Sequence, residues 1–152
     1  MRLLSSAAIA AGLCLWVSAP ALAQVPTVEE KANVEAALGL TAAMAAKDVA
    51  RAASYLDDGY IQHNPNVPTG KAGFVGFFTP RWKDQKPAEP EMPAVTVAKG
   101  DLVTFLFRRP RPEPADPSKT YDSFAFDAYR VKGGKIVEHW DGGVKAAPPA
   151  AR

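Results

Sequence analysis

Apolar and polar positions follow two different periods along this chain, and the change of period divides it. In the first half apolar residues recur at spacings of three and four. Thr27 with Glu30 three residues on forms a capping box, the mark of a helix start. Val34, Leu38, Thr41 and Ala45 then fall on one face of an alanine-rich, helix-favouring segment. Asp48 opens a second, shorter helix carrying Val49, Ala52, Ala53 and Leu56, closed by Asp57-Asp58-Gly59. Tyr60 to Asn64 reads as a short extended piece ended by Pro65. Gly70 to Phe78 reads as a third helix with Phe74, Phe77 and Phe78 on one face and Pro80 as its stop. Lys86 to Pro93 reads as a connector.

From Ala94 the period becomes two, which predicts strands. They run over Ala94–Ala98, Leu102–Arg108, Tyr121–Val131 and Ile136–Asp141. Lys99-Gly100-Asp101 makes one turn, and Lys132-Gly133-Gly134-Lys135 makes a glycine hairpin. Arg109 to Thr120, with four prolines, reads as an exposed, solvated loop that includes Arg109 and Arg111. The tail from Ala146 reads as frayed. Helices first and antiparallel strands after predict an α+β fold, with a curved sheet over the helices and a cavity at its open end.

The 152 residues suit one domain, and 47% apolar with 22% charged side chains is ordinary for a globular chain. The net charge of +2 leaves no nucleic-acid footprint. The first 23 residues have the pattern of a secretory signal peptide: Arg2, an apolar run from Leu3 to Val17, Pro20, and Ala21-Leu22-Ala23 before Gln24. The domain is therefore expected over 24–152, in the periplasm or secreted, with no membrane association after cleavage. Cys14, the single cysteine, falls in that leader, so no disulfide or thiol chemistry is expected in the mature chain.

Candidate chemistry collects in two places. Asp127 sits mid-strand between Phe126 and Ala128, on a face with Ala125 and Tyr129. On the last strand Val137, His139 and Asp141 share a face, and Ile136, Glu138 and Trp140 share the other. The glycine hairpin pairs these strands antiparallel, so that Asp127 and Asp141 can lie across from each other on one face. A carboxylate among apolar neighbours is costly unless paired or protonated, and such groups serve as general bases. His139 is a candidate proton shuttle. His63, before Asn64-Pro65, is a candidate for binding a substrate oxygen. Tyr60, Asn64, Phe78 and Tyr129 are expected to bind substrate. Two histidines with aspartates also raise a 2-His-1-carboxylate metal site, but no close His spacing supports one and no metal is expected. The chain has no serine elbow, phosphate loop or dinucleotide fingerprint.

Tyr60-Ile61-Gln62-His63-Asn64-Pro65, Gly100-Asp101-Leu102-Val103 and Gly134-Lys135-Ile136-Val137-Glu138-His139-Trp140-Asp141 resemble the SnoaL-like branch of the NTF2-like superfamily, over roughly residues 28–141. The resemblance implies a cone-shaped α+β barrel and a homodimer packed through the sheet. It also implies cofactor-free acid–base catalysis on a small apolar carbonyl compound, of the aldol-condensation, cyclase or isomerase type. Its catalytic aspartate matches Asp141, and a polar partner on the preceding strand matches Asp127. A helical-half asparagine is matched to His63 or Asn64. The alternative expectation is an exported small-molecule binding protein with the same pocket and no catalysis.

Overall fold

The computed structural model describes residues 25–147, and the expected signal peptide lies outside them. The first helix, α1 (Val28–Ala45), starts at the expected capping box: Glu30 N–H donates to Thr27 Oγ1 at 3.1 Å and Thr27 N–H to Glu30 Oε2 at 2.8 Å. The other Glu30 oxygen accepts Gly100 N–H at 2.9 Å, and Asn33 Nδ2 donates to Gly100 O at 3.1 Å. One turn of helix thereby holds both backbone polar groups of Gly100 in the strand turn at 99–101. The backbone N–H groups of Thr27 and then Gly100 hold the Glu30 carboxyl below its ordinary value.

The buried line of α1 is Ala36, Ala37, Leu40 and Ala43. The expected face of Val34, Leu38 and Thr41 is only half-buried and forms its margin. Small side chains win the central line because they bring the helix backbone close to the sheet. At Gly39 any Cβ would overlap the Tyr55 ring.

Asp48 caps α2 (Val49–Ser54) as expected, accepting Arg51 N–H at 2.9 Å. Leu56 does not belong to that helix. It begins strand β1 (Leu56–Gln62), and Asp57-Asp58-Gly59 lies within that strand. β1 pairs parallel with the last strand, and its register shifts between Leu56 and Ile61. The turn-forming residues are absorbed there as a bulge, while Leu56 is fully buried.

Helix α3 (Lys71–Trp82) runs past the expected stop at Pro80. The missing N–H removes one helical bond. Trp82 offsets it by packing into the core, 4.5 Å from Phe78 and edge-on to Phe74. Arg81 Nη1 also folds back to Phe77 O at 2.8 Å.

The remaining strands are β2 (Val95–Lys99), β3 (Leu102–Pro112), β4 (Thr120–Lys132) and β5 (Lys135–Asp141). They form a sheet of order β1-β5-β4-β3-β2, antiparallel except for β1 with β5. The β4–β5 hairpin turns on Gly133 and Gly134, both at positive φ. The segment read as an exposed loop from Arg109 is instead paired far along: Pro110 faces Asp122 and Pro112 faces Thr120. The reason is parity. Glu113 N–H bonds across to Lys119 on the β4 side, and Leu106 O accepts Ala94 N–H on the other side. Odd residues of β3 thus turn their N–H to β4. Pro110 and Pro112 aim their missing donors at the edge beyond the end of β2, where no ladder bond is lost.

Ile136 also differs from expectation. The β4–β5 register slips between Arg130 and Val131, with Val131 opposite Ile136 and Arg130 opposite Glu138. Val137 is the extra residue of a bulge. Ile136 therefore points into the core, fully buried, while Glu138 and Trp140 point outward. The helices cover the inner face of the curved sheet. Leu56, Phe74, Val103, Phe105, Phe107, Val131 and Ile136 are the largest fully buried side chains between them.

Candidate active site

Beyond this packed layer, at the other end of the inner face, the sheet and helices leave a cavity of about 200 Å³. Leu40 and Met44 of α1, Phe74 and Phe78 of α3, and Val67 supply its apolar wall. Its polar groups come from three adjacent strands. β1 and the residues after it contribute Tyr60, Gln62 and Asn64 at every second position. β4 contributes Asp127 and Tyr129, and β5 contributes His139 and Asp141.

Asp127 lies directly opposite Asp141 in the β4–β5 ladder, and Tyr129 lies opposite His139. The two carboxyl groups thus project side by side, with the His139 ring next to them. Its Nε2 is 3.4 Å from Asp127 Oδ1, and its ring stacks on Tyr129 at 4.9 Å. One ligand atom from each of Asp127, His139 and Asp141 lies within 4.8 Å of the others. One imidazole and two carboxylates are a donor set able to hold a divalent cation. The 2-His version raised from the sequence does not form, because the two histidines sit on opposite faces of the sheet.

Asp141 is held firmly in place. Asn64 Nδ2 donates to both of its oxygens, at 3.0 and 2.8 Å, and Gly143 N–H donates to Oδ1 at 2.7 Å. Asn64 is itself fixed by Asn66 N–H, 2.8 Å from Asn64 Oδ1. Gly143 permits this packing. A Cβ there would fall 2.5 Å from Asn64 Nδ2 and 2.8 Å from Asp141 Oδ1.

His139 Nδ1 meets Gln62 Oε1 at 3.0 Å, and Gln62 Nε2 donates to the Tyr60 hydroxyl at 2.9 Å. Burial first, and the charge of Asp141 next, push the Tyr60 hydroxyl well above its ordinary value. Burial does the same at Tyr129, with Asp127 adding to it. Both phenols therefore keep their protons at neutral pH.

The sequence reading thus places Asp127, His139, Asp141, Tyr60, Asn64, Phe78 and Tyr129 around one cavity, and the structure brings all seven there. His63 is the exception. It lies on the outer face of the sheet, stacked on Trp140 with ring centres 4.8 Å apart and Nε2 3.2 Å from Glu138. The alternation of β1 explains this: Tyr60 and Gln62 face inward, so Ile61 and His63 face outward. His63 cannot reach a substrate oxygen in the cavity.

Gln62 and Gly143 were not among the expected site residues. The period-two series Tyr60, Gln62, Asn64 was the signal that points to Gln62. Arg109 departs from the expected solvated loop. It ends the inward row Val103, Phe105, Phe107 in a neighbouring hollow that shares Met44, Phe78, Asp127 and Tyr129 with the cavity, bidentate to Glu91 with contacts of 2.8 to 3.1 Å.

Residues 37–139 match the family model of the SnoaL-like domain. No curated protein matches the sequence. Among solved structures, a protein of Jannaschia sp. CCS1 assigned to the SnoaL-like polyketide cyclases superposes with a TM-score of 0.54 at 18% identity, over 78% of this chain and 91% of its own. A cystatin-fold protein of Novosphingobium aromaticivorans gives 0.53 at 22% identity, over 72% of this chain and 96% of its own. An NTF2-like protein of unknown function from Cytophaga hutchinsonii gives 0.51 at 14% identity, over 72% and 87%. These likenesses establish the α+β fold of helices on a mostly antiparallel sheet.

Proposed function

The chain belongs to the SnoaL-like domain family, and on that premise we propose that it is a cofactor-independent acid–base enzyme acting on a small, apolar, enolisable carbonyl compound. The reaction class is an aldol condensation, cyclisation or isomerisation. The observation that carries this reading is the convergence of Asp127, His139 and Asp141 within 4.8 Å in a cavity whose opposite wall is the apolar Leu40, Met44, Phe74 and Phe78. Titratable groups brought together in an apolar cleft are the usual signature of a catalytic centre.

In this mechanism Asp141, oriented by Asn64 and Gly143, takes a proton from the carbon beside the carbonyl. The electron pair of that C–H bond moves onto the carbonyl oxygen as an enolate. His139, flanked by Asp127, receives the proton from Asp141 and later returns it. The apolar wall keeps water from the enolate.

The test is hydrogen–deuterium exchange at the alpha carbon of a panel of small ketones and diketones. The wild type is expected to catalyse it, and Asp141→Asn to lose activity by about 10²–10⁴-fold, the usual worth of a positioned base. Equal exchange in both proteins removes Asp141 from the mechanism. A cavity that binds panel compounds without exchanging any favours the exported binding protein.

A further inference from the structure

Gln62 sits at the centre of the cavity's hydrogen bonds. Its Oε1 accepts the backbone N–H of Asn64 at 2.9 Å. A backbone N–H only donates, so this contact fixes which end of the amide is oxygen. His139 Nδ1 lies 3.0 Å from the same oxygen. A ring nitrogen facing a carbonyl oxygen must carry the hydrogen. In the neutral imidazole the lone pair is then left on Nε2, 3.4 Å from Asp127 Oδ1; two acceptors face each other there, and the hydrogen that would join them is the one an entering molecule supplies.

The other end of the amide is equally committed. Gln62 Nε2–H donates to the Tyr60 oxygen at 2.9 Å. Tyr60 has no other hydrogen-bond partner among the described residues, so its own hydroxyl hydrogen is unspent. It is almost fully shielded from solvent, at 3% exposure. A buried donor of this kind is satisfied by whatever enters the cavity.

We propose that Gln62 is a positioning residue that sets the hydrogen-bond polarity of the cavity, making Tyr60 the donor and His139 Nε2 the acceptor. The ligand class follows from that polarity. A matching molecule offers a carbonyl oxygen to Tyr60 and an acidic hydrogen to the Asp141–His139 side, as a β-dicarbonyl or a hydroxyketone does. Tyr60 then takes the oxyanion-stabilising role expected of His63. The choice of ligand class rests on the acid–base reading above, whereas the hydrogen-bond wiring does not.

The test reads the histidine tautomers directly by long-range ¹H–¹⁵N NMR. The chain has two histidines, and a His63→Gln variant assigns the signals. Spectra are recorded above the titration range of the imidazole, where the ring is neutral. The expected result is an Nδ1-protonated His139 in the wild type. Gln62→Glu keeps an acceptor at that point and retains this pattern. Gln62→Leu removes it, and the ring reverts to the Nε2-protonated form that is usual in solution. A neutral wild-type His139 carrying its hydrogen on Nε2 overturns the proposal, as does an unchanged tautomer in folded Gln62→Leu. The wild-type and Gln62→Glu spectra decide the matter even where Gln62→Leu does not fold. No turnover is measured, so this result and that of the exchange assay stand or fall separately.

Discussion

At the scale of single residues the site depends on two close approaches. The first is Gly143 against Asn64 and Asp141, where a methyl group has no room. Gly143→Ala is expected to push the Asn64 amide away from Asp141 and lower alpha-carbon exchange by about 10²-fold, the scale of a 1 Å misplacement. Because Gly143 is an exposed residue beyond the last strand, thermal melting should be nearly unchanged. Full activity in that variant would show that the Asn64 clamp is dispensable. The second is the Tyr60 hydroxyl. Tyr60→Phe removes one preorganised donor and is expected to cost about 10²–10³-fold in turnover while leaving the fold intact. Asp127, His139 and Asp141 were legible as candidates because each is a titratable group in an apolar strand, but their alignment rests on the Val137 bulge: the glycine turn alone, with Lys132 opposite Lys135, would set Asp127 opposite Trp140. His63 was misplaced because the bulged start of β1 hides the phase of that strand, and only Tyr60 facing inward reveals it.

Elements show where local signals yield to packing. Pro80 and Asp57-Asp58-Gly59 are genuine breakers, yet a buried Trp82 and a buried Leu56 carry the helix and the strand through them. Trp82→Ala is expected to cost roughly 3–5 kcal/mol in chemical denaturation, the range for emptying a large aromatic site. A loss below about 1 kcal/mol would mean that the last turn of α3 is held by something else. The prolines of β3 were read as a loop because proline content was weighed without its parity. Both fall on residues whose N–H would face the free edge, so composition misled where position did not. The junction of α1 with the β2–β3 turn is charge-linked. Since the folded-state pKa of Glu30 is depressed, its contribution is present above the unfolded value near 4.5 and fades as pH falls through the lower folded value. Melting curves of wild type and Glu30→Gln should differ most at neutral pH and converge in acid. A gap that persists unchanged at low pH would break this linkage.

Across the whole molecule the outer face of the sheet is the feature that the described residues leave uncovered. Phe124 and Phe126 are 58% and 50% exposed, and Val95, opposite Leu106 and so in line with Phe126, and then Val97 continue the exposed apolar surface onto β2. We propose that this apolar patch is an interaction surface. A symmetric pair of this chain is the occupant the family resemblance implies, and closed dimers are the commonest assembly. Sedimentation at micromolar concentration should give a dimer for the wild type and a monomer for Phe126→Glu, a change at a solvent-facing position that leaves the core alone. A monomeric wild type would leave this face to another partner. The general architecture was readable because the switch of period at Ala94 separates helices from strands. The dimensions of the cavity were not, since they depend on how closely an alanine-lined helix approaches the sheet.

The sheet separates the two imidazoles of this chain as a wall separates two rooms. His139 looks into the cavity, and His63 lies against Trp140 and Glu138 on the far side. Each therefore reports on its own compartment. A ligand entering the cavity should move the His139 signals and leave those of His63 in place. Association through the outer face should do the reverse. A single titration followed at both rings would tell filling of the molecule from pairing of the molecule, without any added label.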